Sequence, residues 1–203
     1  VHASEYLELY RQVAEEGYTD LIHVSLNGKG SGTYQAAVTG RELALAEDPE
    51  RKIFVLDSRS TAGGMALLLR KAAALYEAGR PFEEICDILT TYRDNLRTCF
   101  TLMSFHNLVQ AGRMKPITGA LLQTLGIHVI AQATPEGSIS VAGKARGEVK
   151  TYQAIVEQMK KSKNCRGAEV IVSHCENLVG AVRLKEHILK ELPVRSVEIR
   201  SCR

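Results

Sequence analysis

The stretch LIHVS-LNGKGSG-TYQAAV, residues 21–38, joins a short apolar strand to a helix through a glycine-rich turn. The same grammar returns in KIFVLD (residues 52–57) followed by SRSTAGG (residues 58–64). A strand that ends in hydroxyls and glycines and feeds a helix, twice over, predicts a parallel α/β layer. Working outward, Tyr6, Leu9, Tyr10 and Val13 fall at i, i+3, i+4 and i+7, a helical apolar stripe that Gly17 stops. Downstream, helices are expected over residues 33–46, closed by Asp48-Pro49, over 64–78, capped by Gly79, and over 81–95, opened by Pro81.

The pattern changes near Leu96. Residues 97–102 read as a strand and a short helix ends at Ala111-Gly112. Residues 118–125 read as a helix stopped by Gly126. Strands at 127–133 and 139–145 flank Pro135-Glu136-Gly137, a hairpin turn. A helix over 148–161 carries Val149, Tyr152, Ile155, Val156 and Met159 on one face. A strand (169–173), a helix (177–192) and a last strand (194–199) follow. The reading is a two-domain α/β protein: residues 1–95 as a parallel α/β domain and residues 96–203 as a mixed-sheet α/β domain. Two parallel strands are few for a sheet buried on both faces, so the first domain is expected to lack its first strand. The opening residue is Val1 and not Met, which reads as part of a longer or processed product.

Composition narrows the function classes. The 203 residues are 45% hydrophobic and 24% charged, ordinary for a globular chain. The net charge of +3 is too small to predict nucleic-acid binding, and 5% aromatics without tryptophan give no base-stacking platform. No run of 18 apolar residues is present, so stable membrane insertion is not expected. Five cysteines, an odd number without framework spacing, read as reduced thiols of a cytoplasmic protein. Cys165, His174 and Cys175 lack a fourth ligand at zinc spacing, so no metal is expected.

The sharpest candidate site is Ser25-Leu26-Asn27-Gly28-Lys29-Gly30-Ser31-Gly32-Thr33. Glycines let a ligand approach the backbone, a helix N-terminus offers free N–H groups, and Ser25, Ser31 and Thr33 add hydroxyl donors. This chemistry suits a phosphate or a carboxylate. The loop matches neither the Walker A nor the GxGxxG pattern. Asp57, at the end of the second strand, is placed to brace the neighbouring loop or to bond a ligand hydroxyl. Arg113 after Gly112, and Arg146 before Gly147, are candidates for anion clamping or partner docking, or are solvated surface arginines. A Ser/His/Asp hydrolase lacks its GxSxG elbow, and His23 sits where a core histidine is the default.

Four ordered blocks carry a resemblance: SLNGKGSGTYQAA (25–37), VLDSRSTAGGMALL (55–68), LVQAGRMKPITGALLQTLGIHVI (108–130) and GSISVAGKARGEVKTY (137–152). Together they resemble the DegV family. The resemblance implies a two-domain protein that holds one long-chain fatty acid, with the carboxylate at the domain junction and the acyl chain in the second domain. It implies a carrier with no cofactor of its own. The carrier would present its lipid to a separate ATP-dependent fatty acid kinase, which makes the acyl phosphate. Carried over by position, Ser31 is the first choice for the carboxylate, with Thr33, Ser25 and Asn27 as helpers and Gly28, Gly30 and Gly32 shaping the loop. Arg113 and Arg146 match basic positions at the pocket mouth or partner surface. Ile117, Leu121, Leu122, Leu125, Ile127 and Val129 would line the acyl chain. The family's opening TDS-type strand and its late GxHxGPG histidine do not stand in this sequence. A competing class is a small-molecule phosphotransferase or hydrolase using residues 27–33 as an anion site.

Overall fold

The computed structural model describes residues 2–102, 104–114, 126–162 and 165–202. The chain divides into two compact units, Val1–Thr61 with Met65–Leu96, and Ala62–Gly64 with Arg97–Arg203.

α1 (Ala3–Glu15), β1 (Asp20–Ser25), α2 (Thr33–Glu47), β2 (Lys52–Asp57), α3 (Ala62–Glu77) and α4 (Phe82–Asn95) follow one another and, apart from Ala62–Gly64 at the start of α3, make up the first unit. β1 and β2 pair in parallel, from Asp20 opposite Lys52 to Ser25 opposite Asp57. The two strands therefore end level, and the loops that leave them start side by side. Strand alternation sends Ile53 and Val55 to one face, where they meet Tyr10 of α1 and Ala37 and Ala44 of α2. Val24 and Leu56 face the other way, onto Leu68 and Leu75 of α3 and Ile85 and Leu89 of α4. α1 and α2 approach so closely that a Cβ on Gly40 would fall 2.7 Å from Tyr6 Cβ and 2.9 Å from the Ala3 carbonyl. The apolar stripe of α1 is rotated from the expected one. Tyr6, Leu7 and Tyr10 pack inward, while Leu9 is 45% exposed, because α2 lies against the Tyr6 side.

In the second unit, β3 (Cys99–Thr101), β4 (Ile127–Ala133) and β5 (Ile139–Arg146) form an antiparallel sheet in that order. The expected strand over 97–102 is shorter: only Cys99–Thr101 pairs with β4, and Leu102 turns to solvent. The β4–β5 hairpin closes through Thr134 to Ser138, with the Thr134 amide donating to the Ser138 carbonyl at 2.7 Å. Ile130 faces Gly143 and Ala131 faces Val141, so Ala142 is the extra residue of a β-bulge. The carbonyl that the bulge frees accepts from Gln158 Nε2 of α6 (Glu148–Lys160) at 3.0 Å. One face of this sheet gathers Phe100, Val129, Ala131 and Ile139 against Phe105, Leu108, Val109 and Met114, residues in and around α5 (His106–Gln110). A parallel pair, β6 (Glu169–His174) and β7 (Ser196–Ser201), packs with α6 and α7 (Leu178–Glu191) around Val156, Val172, Ala181, Ile188 and Val197. The last strand starts two residues later than expected because Val194 joins that core instead of the ladder. The helix expected over 118–125 lies outside the described residues.

Candidate functional site

The site begins where β1 and β2 end level. Ser25 is 2% exposed and its carbonyl accepts the Ser58 amide at 3.1 Å, so the ladder continues one step past the strands. The Asn27 amide donates to the Ser60 carbonyl at 3.1 Å, and Ser60 in turn is held by its amide donating to Ser58 Oγ at 3.1 Å. The 25–33 loop and the 57–61 loop are thus laced together by backbone bonds.

Asp57 completes the lacing. Its Oδ1 accepts the Gly28 amide at 3.0 Å and the Arg59 amide at 2.9 Å. Of the two readings open for Asp57, the bracing one matches this geometry. A Cβ on Gly28 would lie 2.9 Å from Asp57 Oδ2 and 3.1 Å from the Tyr34 ring, so the contact requires glycine. Arg59 and Ala62 have φ of 49° and 37°, left-handed conformations that non-glycine residues rarely adopt. The lacing holds the second loop in that shape. Arg59 reaches out to Asp94, 3.0 Å away.

The first loop folds on itself around Asn27. Its carbonyl accepts the amides of Gly30 and Ser31, both at 3.1 Å, and its Oδ1 accepts the Lys29 amide at 3.0 Å. This coil delivers Ser31, Gly32 and Thr33 to the start of α2, whose first N–H groups have no partner within the helix. Ser31 Oγ accepts the Thr33 amide at 3.3 Å. Thr33 Oγ1 is sealed from solvent and has no hydrogen-bond partner among the described residues. Gly30 and Gly32 have no crowding that demands glycine; Gly32 is exposed with φ −72°. Hydroxyls, free amides and the positive end of a helix macrodipole converge here, an arrangement that accepts an anion.

The remaining sequence candidates lie in the second unit. Val129 is buried in the Phe105–Met114–Ala131 cluster, and Ile127 is half-buried at the start of β4. Ile117, Leu121, Leu122 and Leu125 lie outside the described residues. Arg113 is exposed after the left-handed Gly112, with its guanidinium on the Ala111 carbonyl. Arg146 is exposed at the end of β5, opposite Ile127.

The hydrolase alternative gains no relay from the histidine in β1. His23 Nδ1 is 2.8 Å from the Tyr10 hydroxyl, a phenol, and burial pushes its pKa below the ordinary 6.5. Two contributors escaped sequence reading. The Ser60 carbonyl has no side-chain signature, and the role of Tyr34 shows only once Gly28 is seen against its ring.

Known proteins are similar in sequence and fold. The family model described as "Uncharacterised protein, DegV family" matches residues 1–202. A DegV domain-containing protein of Streptococcus pneumoniae is 29% identical over 186 residues, which cover 92% of this chain and 66% of that relative. The chain thus spans just under two thirds of that curated relative's length. Among solved structures, a DegV family protein from Eubacterium eligens, loaded with heptadecanoic acid, matches with a TM-score of 0.88 at 28% identity, covering 98% of this chain and 70% of that one. The Streptococcus pneumoniae fatty acid kinase B3 protein, loaded with linoleic acid, also matches with a TM-score of 0.88, at 27% identity over 99% of this chain and 69% of that one.

Proposed function

The chain belongs to the DegV family, and on that premise we propose that it binds one long-chain fatty acid and presents it to a separate ATP-dependent fatty acid kinase. The carboxylate is held by the loop at the start of α2, with Ser31 and Thr33 donating hydroxyl hydrogen bonds and Ser25, Asn27 and the loop glycines keeping its shape. The acyl chain lies in the apolar interior of the second unit, against Val129, Ile127 and residues of the 117–125 segment. Arg113 and Arg146 serve the pocket mouth or the kinase surface. Residues 1–95 and 96–203 act as the two domains of a cytoplasmic carrier that needs no cofactor of its own and performs no chemistry itself.

One observation carries the carboxylate site: the buried Thr33 hydroxyl without a partner among the described residues. An unmade hydrogen bond at a buried hydroxyl costs about 1–3 kcal/mol, and a carboxylate oxygen would recover it. The family supplies the lipid: the two solved relatives are loaded with C17 and linoleic acids. Energetics agree with a carrier. Burying about fifteen methylenes of a C16 chain at about 0.8 kcal/mol each gives roughly 12 kcal/mol before ordering costs. The head group therefore needs only a few donors.

Mass spectrometry of an organic extract of the purified protein tests this reading. A co-purifying long-chain fatty acid is expected, and Ser31→Ala should weaken its binding by about 1–3 kcal/mol. An empty extract from protein that binds nucleotide would overturn the carrier and favour a phosphotransferase on the same loop.

A further inference from the structure

Five cysteines are free, and they fall into two classes. Cys86, Cys99 and Cys165 are half-buried, while Cys175 and Cys202 are exposed. Burial pushes the thiols of Cys86 and Cys99 up to about 11 and raises that of Cys165. Those three are poor nucleophiles.

Cys175 and Cys202 are 27 positions apart in the chain but neighbours in the fold. β6 and β7 run parallel, and their last registered pair is His174 opposite Ser201. The ladder then takes one more step: the Cys202 amide donates to the His174 carbonyl at 2.9 Å. Carried one step further, the same register sets Cys175, the first residue past β6, against Cys202. Register neighbours on parallel strands point to the same face, and paired strands run about 4.7–4.9 Å apart. That separation falls within the 4.4–6.8 Å between Cα atoms that a disulfide spans. The side chains agree, because the Cys175 thiol and the Ser173 hydroxyl, two residues back, both lie close enough to Cys202 to act on its thiol.

We infer that Cys175 and Cys202 form a redox-active dithiol that closes to an intramolecular disulfide across the ends of β6 and β7 when a low-molecular-weight disulfide is present. The chemistry balances by exchange. The Cys175 thiolate attacks the small disulfide, an S–S bond forms to Cys175, and one small thiol leaves. The Cys202 thiolate then attacks the Cys175 sulfur and expels the second small thiol. Two protein thiols are oxidised, the small disulfide is reduced to two thiols, and the two protons lost from the cysteines end on them. Burial and the neighbouring thiol keep Cys202 above its ordinary pKa of 9.0, which suits the second, intramolecular step.

The test uses oxidised and reduced glutathione in graded ratios, followed by alkylation and trypsin digestion without reduction. The expected result is an intact monomer lighter by two hydrogen atoms, with peptide 167–183 disulfide-linked to peptide 201–203, and with Cys86, Cys99 and Cys165 alkylated. In Cys202→Ser, Cys175 should instead accumulate as its glutathione adduct. Recovery of the two peptides unlinked, whether alkylated or each carrying glutathione, would overturn the inference. So would a bond found only between two chains.

Discussion

Replacing Thr33 by valine separates what this hydroxyl does for the fold from what it does for a ligand. Valine keeps the shape and exchanges the hydroxyl for a methyl. The two residues have nearly equal helix propensity, so that contribution is close to zero. In the ligand-free protein, Thr33 Oγ1 is buried without a partner among the described residues. An unsatisfied buried hydroxyl costs about 1–3 kcal/mol, and the lower end applies because Thr33 as a whole is only half-buried. Thr33→Val should therefore raise the unfolding free energy of delipidated protein by about 1 kcal/mol. On the proposed reading, the same hydroxyl donates to the carboxylate of a bound fatty acid. Losing a charge-assisted bond should weaken affinity by about 1.5–3 kcal/mol, roughly 10- to 150-fold in Kd. Urea unfolding followed by circular dichroism reads the first quantity, and displacement of a fluorescent fatty acid reads the second. Thr33→Ser, which keeps the hydroxyl, should retain most of the affinity. A variant whose stability and affinity both fall would refute the reasoning, because the hydroxyl would then be a structural bond. So would a stabilised variant that binds as tightly as the parent.

Two further outcomes are expected. Asp57→Ala strands the Gly28 and Arg59 amides, which should cost about 2 kcal/mol in urea unfolding and speed hydrogen exchange at both amides, whereas Asp57→Asn, which keeps an acceptor oxygen, should lose less than half of that; unchanged exchange at Gly28 in Asp57→Ala would count against the brace. Burial holds His23 below 6.5, so between its folded and unfolded values the folded chain binds fewer protons there than the unfolded chain, and stability falls as the pH drops through about 6.5. His23→Gln should flatten that part of the urea midpoint against pH, and identical slopes in the two proteins would assign the effect elsewhere.

The parallel layer was legible because each strand ends in a glycine- and hydroxyl-rich stretch that feeds a helix, and local chemistry alone specifies that join. The place of Ser31 and Thr33 at the start of α2 was legible for the same reason. What stayed hidden depends on other parts of the chain. The 3.6-residue period placed Leu9 on the inner face of α1, yet the neighbour that decides the face is α2, whose Gly40 admits Tyr6. The end of β3 is set by its pairing with β4. The cap of α7 is Asn177, whose Oδ1 accepts the Gly180 amide at 3.0 Å, while His174 Nδ1 faces the Asn177 amide at 3.4 Å. Backbone acceptors such as the Ser60 carbonyl leave no trace in residue identity, so the lacing between the two loops could not be read in advance.

That lacing has an engineering consequence. Because Ser25 and Asp57 stand in register and Asn27 bonds across to Ser60, neither loop can change length alone without breaking bonds made by the other. Insertions and deletions should be excluded from both loops together, as if they were a single segment interrupted by α2 and β2. The β4–β5 turn at Pro135-Glu136 is exposed and joins the two strands of one hairpin, closed by the Thr134 amide on the Ser138 carbonyl and the Gly137 amide on the Thr134 carbonyl. An epitope or fluorescent reporter grafted into this protein belongs in that turn.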